Sequence, residues 1–171
     1  AADTETSQGI LAVLRWRGHS IPPLAEVPVG NVAAIAESVR QQIMARANER
    51  CEYCLTSRRV IGMPLVVDHI LPRALGGGDE LENLCAACYR CNQYKSAKSH
   101  EFDPASGELA PLFHPRRDVW AEHFAWANGG THIIGLTSTG RATVIALRMN
   151  NDYVVEARRL WIARQWHPPA Q

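Results

Sequence analysis

The sequence predicts an α+β fold gathered around a four-cysteine staple, and three observations carry that expectation. Apolar residues recur at helical spacing in some stretches and give way to short β-branched runs in others. Glycine and proline punctuate the chain into short elements, with no repeat and no low-complexity tract. Two Cys-x2-Cys pairs, Cys51/Cys54 and Cys88/Cys91, flank the segment richest in polar side chains able to do chemistry.

Taken in order, Ile10–Trp16 is rich enough in Leu, Val and Trp for a short strand, and Pro22, Pro23 and Pro28 break up the stretch after it. Residues 1–30 are therefore expected to be a strand and linker segment. Asn31 is a plausible N-cap for a helix over about Val32–Asn48, where Val32, Ile35, Ala36, Val39, Ile43 and Ala47 form one apolar stripe. Val60–Val67 is β-branched but interrupted by Gly62 and Pro64, and predicts a short hairpin ending at Asp68-His69. Gly76–Gly78 is a loop, and Cys88–Lys98 a short helix. Asp103–Pro115 is expected to be loop, Arg116–Trp126 helix, His132–Thr137 strand, Thr139–Met149 helix and Asp152–Trp166 a last amphipathic helix.

Bulk properties exclude more than they assign. The chain has 171 residues, 46% hydrophobic and 20% charged, enough to bury a core. No apolar run approaches the roughly 20 residues that cross a bilayer. Ala1–Gly9 lacks the basic-then-apolar order of a signal peptide, so the cytoplasm is the expected compartment and no membrane the expected partner. The formal charge of +1 makes no case for nucleic acid by itself. Between Ala45 and Ser99, eight Lys or Arg face six Asp or Glu, an excess that permits phosphate binding without demanding it.

The five cysteines are Cys51, Cys54, Cys85, Cys88 and Cys91. Two Cys-x2-Cys knuckles have the spacing by which thiolates converge on tetrahedral zinc. The second pair has two registers, since Cys85/Cys88 is spaced like Cys88/Cys91; the latter is preferred because Cys91 precedes Asn92-x2-Lys95. An odd count and no secretion signal weigh against disulfides. Such a Zn2+ site would be closed and structural, leaving Cys85 a small buried residue.

Chemistry is expected between the knuckles. Hydrolysis of a phosphodiester needs a base for water and a cation to balance charge on the phosphate. An imidazole commonly serves as such a base, and His69 offers one. Asp68 and Asn92 offer the hard oxygen ligands preferred by Mg2+. Each residue also has a structural explanation: Asp68-His69 as a hydrogen-bonded turn, Asn83 as a turn residue or cap, Asn92 and Lys95 as solvated helix positions.

Together, Cys51-x2-Cys54, Asp68-His69-Ile70, Glu82-Asn83-Leu84 and Cys88-x2-Cys91-Asn92-x2-Lys95 resemble the zinc-knuckle branch of the HNH endonucleases. The resemblance implies a ββα-metal, treble-clef-like core over residues 31–100, stapled by Cys51, Cys54, Cys88 and Cys91. It implies His69 as general base, Asp68 and Asn92 holding catalytic Mg2+ or Mn2+, Asn83 bracing the hairpin loop, and Lys95 near the phosphate or the site's carboxylate. Phe102–Trp161, including Pro115-Arg116-Arg117-Asp118 and Gly140-Arg141-Ala142-Thr143, resembles an extension on small bacterial HNH proteins, and residues 101–171 are expected to pack on the core as an α/β appendage. Arg116, Arg117 and Arg141 are phosphate-contact candidates, with ion pairing the commoner fate of such residues. The implied partner is nucleic acid, DNA foremost, with room for a protein partner. The competing function is a zinc-knuckle module that binds nucleic acid without cutting it.

Overall fold

A computed structural model of the chain describes residues 35–169. The strand expected at Ile10–Trp16 and the cap expected at Asn31 lie outside these residues. Helix α1 (Glu37–Arg46) begins later than its apolar stripe suggests, because Ala36 takes the N-cap position in extended geometry without a side-chain bond. Ile43 is fully buried, and Ile35 and Val39 pack on the same core. Arg46 closes the helix against the next layer, its Nη2 donating to the Leu84 carbonyl at 2.7 Å.

The expected hairpin at Val60–Val67 does not form. Ser57 caps a single helical turn, α2 (Arg58–Ile61), by accepting from the Arg59 N–H, and Gly62 ends it at φ 64. Pro64, which has no N–H for a ladder, then precedes β1 (Val66–His69). Its partner comes from further along: β2 (Leu84–Ala87) runs antiparallel, pairing Asp68 with Cys85 and His69 with Leu84. All four β2 residues are buried, so the strand carries no alternation to betray it. Cys88 then caps α3 (Tyr89–Lys95), its sulfur accepting the Cys91 N–H at 3.4 Å. The helix stops short of Lys98 because Ser96 turns to φ 48.

Two further corrections fall in the extension. The expected loop at Asp103–Pro115 contains a strand, since β3 (His100–Phe102) pairs with β4 (Leu109–Pro111). The expected helix at Arg116–Trp126 survives only as α4 (Trp120–His123), followed by β5 (Phe124–Ala127) paired with β6 (His132–Gly135). Phe124 is held there by burial and an edge-on contact with Phe113 at 5.1 Å between ring centroids. Helices α5 (Ser138–Ala146) and α6 (Asp152–Ala163) start at side-chain caps, Thr137 and Asn151. One hydrophobic core joins both regions: Ile43, Tyr53 and Leu84 share it with Phe113, Phe124 and Leu147. Trp120 adds a polar tie by donating its Nε1–H to the Tyr53 carbonyl at 2.9 Å.

Candidate active site and metal centre

The sulfurs of Cys51, Cys54, Cys88 and Cys91 lie within 4.8 Å of one another, and all four residues are buried. Cys54 Sγ and Cys88 Sγ are 3.8 Å apart, close to the ~3.8 Å edge of a tetrahedron with ~2.3 Å metal–sulfur bonds. The first knuckle is shaped by the Leu55 N–H donating to the Cys51 carbonyl at 2.8 Å, with Leu55 itself at φ 58. The second knuckle is the Cys88 cap of α3. The cluster settles the cysteine register in favour of Cys88/Cys91.

The surroundings fit a cation. Hydrogen bonding from the neighbouring Cys51 holds the Cys54 thiol well below its ordinary pKa, while burial pushes Cys51 well above it. A dication is what would hold all four as thiolates in so dry a place. Arg90 and the fully buried Arg158 of α6 place positive charge toward these sulfurs. Cys85 stands outside the cluster. Burial pushes its thiol up to about 12, so it stays protonated as a small apolar residue.

The polar site forms at the end of β1. Strand alternation buries Asp68 and turns His69 toward the surface, where its side chain is 17% exposed. Asp68 Oδ2 accepts from the Tyr53 hydroxyl at 3.0 Å and pairs with Lys95 Nζ at 3.3 Å. Burial raises the Asp68 pKa, and the Lys95 charge opposes that shift. Lys95 is itself 1% exposed and donates to the His69 carbonyl at 2.6 Å. It therefore supports the site from beneath and meets the carboxylate of the site.

Asn83 closes the long β1–β2 loop. Its Oδ1 accepts from the Leu71 N–H at 2.8 Å, and its Nδ2 donates to the carbonyls of Gly78 at 2.8 Å and Leu71 at 3.1 Å. Gly77 makes this closure possible: a Cβ there would stand 1.8 Å from the Leu71 carbonyl oxygen. The loop returns Asp79 to His69, with Asp79 Oδ1 2.7 Å from His69 Nε2. Arg73 grips the same carboxylate, its Nη2 reaching Oδ1 at 2.6 Å and Oδ2 at 2.7 Å. Asp68, His69, Pro72 and Arg73 line a shallow cavity of about 240 Å³ with Ser96 and Ala97. A larger groove of about 680 Å³ runs between the loop and the extension, past Gly77, Asn83, Phe113 and His114, and neither Asp68 nor His69 lines it.

Asn92 sits half-buried one helical turn before Lys95, on neighbouring positions of one α3 face. Among the described residues its carboxamide makes no hydrogen bond to Asp68 or His69. The fold thus joins Asp68, His69 and Lys95 by direct contact, with Asn83 bracing the loop and Asn92 a turn away.

This chain matches the HNH endonuclease family over residues 51–98, a span holding both knuckles and the polar residues from Tyr53 to Lys95. Residues 51–98 form an HNH endonuclease domain. The chain is also 41% identical over 66 residues to a CRISPR-associated endonuclease Cas9 of Corynebacterium diphtheriae. That likeness covers 35% of this chain and 5% of the Cas9, so the chain spans a small part of the relative it matches. No solved structure matches it. HNH endonucleases are phosphodiester hydrolases, and the hairpin, α3 and four-cysteine cluster give this HNH domain a stapled ββα-metal core.

Sequence reasoning missed Tyr53 and Asp79 and gave Arg73 no role. Asp79 had one legible signal, an acidic residue at the end of a glycine loop that must fold back. Arg141 and Arg116 prove to be engaged internally: Arg141 forks onto Asp103 at 2.7 and 2.8 Å, and Arg116 contacts Glu52. Among the described residues no helix is long and apolar enough to cross a membrane.

Proposed function

We propose that this chain is a metal-dependent endonuclease that hydrolyses phosphodiester bonds of DNA at Asp68 and His69. The observation supporting this most strongly is their placement: one carboxylate and one imidazole line the same open cavity, each fixed by its own buried or bonded partner. A bound divalent ion would neutralise charge on the phosphate and leaving oxygen. Asp68 suits that ion through Oδ1, since Tyr53 and Lys95 both engage Oδ2. Asn92 would add a carboxamide oxygen, a donor set of the hard kind taken by Mg2+ or Mn2+.

His69 accepts a proton from the attacking water, whose oxygen bonds to phosphorus as the P–O bond to the leaving oxygen breaks. Lys95 favours the charged form of Asp68 and holds the His69 carbonyl, and so aims both without touching substrate. Asn83 fixes the loop that carries Asp79 back to the imidazole. In the four-cysteine site, Zn2+ would hold the two knuckles and do no chemistry.

The test is conversion of supercoiled plasmid to nicked or linear DNA with added Mg2+ or Mn2+, with and without EDTA, beside a labelled RNA of matched length. Metal-dependent nicking supports the proposal. Binding that survives EDTA, with no cleavage in any metal, would replace it with a non-cleaving zinc-knuckle module. Cleavage of the RNA alone would replace the substrate.

A further inference from the structure

An imidazole acts as a base through whichever ring nitrogen lacks a proton, so the resting tautomer of His69 decides whether it faces water correctly. His69 Nε2 lies 2.7 Å from Asp79 Oδ1 and 3.1 Å from Arg73 Nε. Those two contacts make opposite demands. A carboxylate only accepts, which requires a proton on Nε2, whereas a guanidinium N–H only donates, which requires a bare Nε2.

The geometry resolves the conflict. Arg73 already has the carboxylate as acceptor: Nε reaches Asp79 Oδ1 at 3.1 Å, and Nη2 reaches both oxygens at 2.6 and 2.7 Å. The carboxylate thus offers acceptors to both the Nε–H and the Nη2 hydrogens of Arg73, and the shorter His69–Asp79 contact sets the proton. His69 and Arg73 also hold the Asp79 carboxyl below its ordinary pKa, so it remains the acceptor.

We infer that Asp79 is the positioning residue for His69, accepting its Nε2–H and thereby presenting Nδ1 as the nitrogen that takes the proton from water. The inference rests on the proposal that His69 is the base. Asp79 also balances the imidazolium that forms when the proton arrives, as a carboxylate behind a catalytic histidine does elsewhere. Its own placement depends on the loop closure, since Asn83 Nδ2 binds the carbonyl of Gly78, the residue just before it.

The experiment uses the full chain loaded with zinc, with its histidines labelled with ¹⁵N and the His69 signals assigned by their loss in H69A. Where the spectrum shows a neutral, singly protonated ring, the parent should carry that proton on Nε2. Asp79→Asn puts an amide there that can accept or donate, so it no longer selects, and the spectrum should become a mixture of both tautomers. In plasmid nicking, D79N should lower kcat about 10- to 100-fold with KM nearly unchanged, short of the ~10⁴ lost when a buried triad carboxylate becomes an amide. Asp79→Glu should recover part of the rate and of the Nε2–H tautomer. A parent spectrum with the proton on Nδ1, or a D79N variant that nicks at the parent's rate, overturns the inference. Should D79N fail to fold, the parent and D79E spectra still decide. An H69A variant that cleaves normally would remove the base itself even with the tautomer locked, so the two failures are distinguishable.

Discussion

Lys95→Met leaves a buried carboxylate without its cation. Lys95 Nζ stands 3.3 Å from Asp68 Oδ2, and both side chains are nearly inaccessible to solvent. At an effective dielectric of about 20, that pair is worth about 5 kcal/mol of attraction. Removing the lysine also orphans the His69 carbonyl, which costs about 1–3 kcal/mol. Against this, the lysine's own desolvation is recovered, and Asp68 can escape by taking up a proton with the Tyr53 hydroxyl still beside it. The balance is a loss of about 3 kcal/mol, the low end for breaking a buried pair, or about 6–12 °C in Tm for a chain of this size.

The pH dependence carries a sign. Asp68 already has a folded pKa raised above 3.8 by burial, and losing the lysine raises it further. A folded state that binds more protons than the unfolded one loses stability as pH rises through that interval. The gap between Lys95→Met and the parent should therefore widen as pH rises above the ordinary carboxylate range. Thermal unfolding followed by circular dichroism, in zinc-containing buffer, measures it. Combining Lys95→Met with Asp68→Asn should restore much of the loss, because the stranded charge is gone. A loss under about 1 kcal/mol, or a double variant as unstable as the sum of its parts, refutes the pairing account.

The staple and the loop closure each make a prediction of their own. Cys88→Ser should lose the metal and much of the fold, whereas Cys85→Ala should keep a full equivalent of zinc; equal zinc content in both, read by a colorimetric chelator after denaturation, would contradict the assigned register. Gly77→Ala should cost about 1–3 kcal/mol and depress nicking, because its Cβ meets the backbone oxygen of Leu71 at 1.8 Å and Asn83 Nδ2 at 2.8 Å. Gly78→Ala meets the flexible Glu80 carboxylate first and should cost little; parallel melting curves and nicking rates that fail to separate the two would refute the loop closure.

What the sequence made legible was local. The two Cys-x2-Cys pairs are contiguous, and each needs only a tight turn to make a knuckle, so the staple could be read directly. Asp68 and His69 are neighbours on one strand, and alternation alone sends one inward and the other out. Elements set by distant partners were not legible. Strand β2 is buried on both faces and shows no period, and its pairing with β1 spans a long loop closed by Asn83. The segment after Arg116 has the composition of a helix, yet Phe124 and Trp126 are drawn into a strand by β6 and by the aromatic rings of Phe113 and Trp120. Strands β3 and β4 are three residues each, too short for any periodicity to appear. Tyr53 and Asp79 reach the site only because tertiary structure brings a knuckle and a loop end to it.

The most direct test is the rate of plasmid nicking by His69→Ala against the parent, with Mg2+ or Mn2+, both proteins matched for zinc content and folded signal. A loss of about 10²- to 10⁴-fold is the predicted result, the range a general base contributes. Nicking by His69→Ala as fast as by the parent would mean that the imidazole beside Asp68 takes no proton from water.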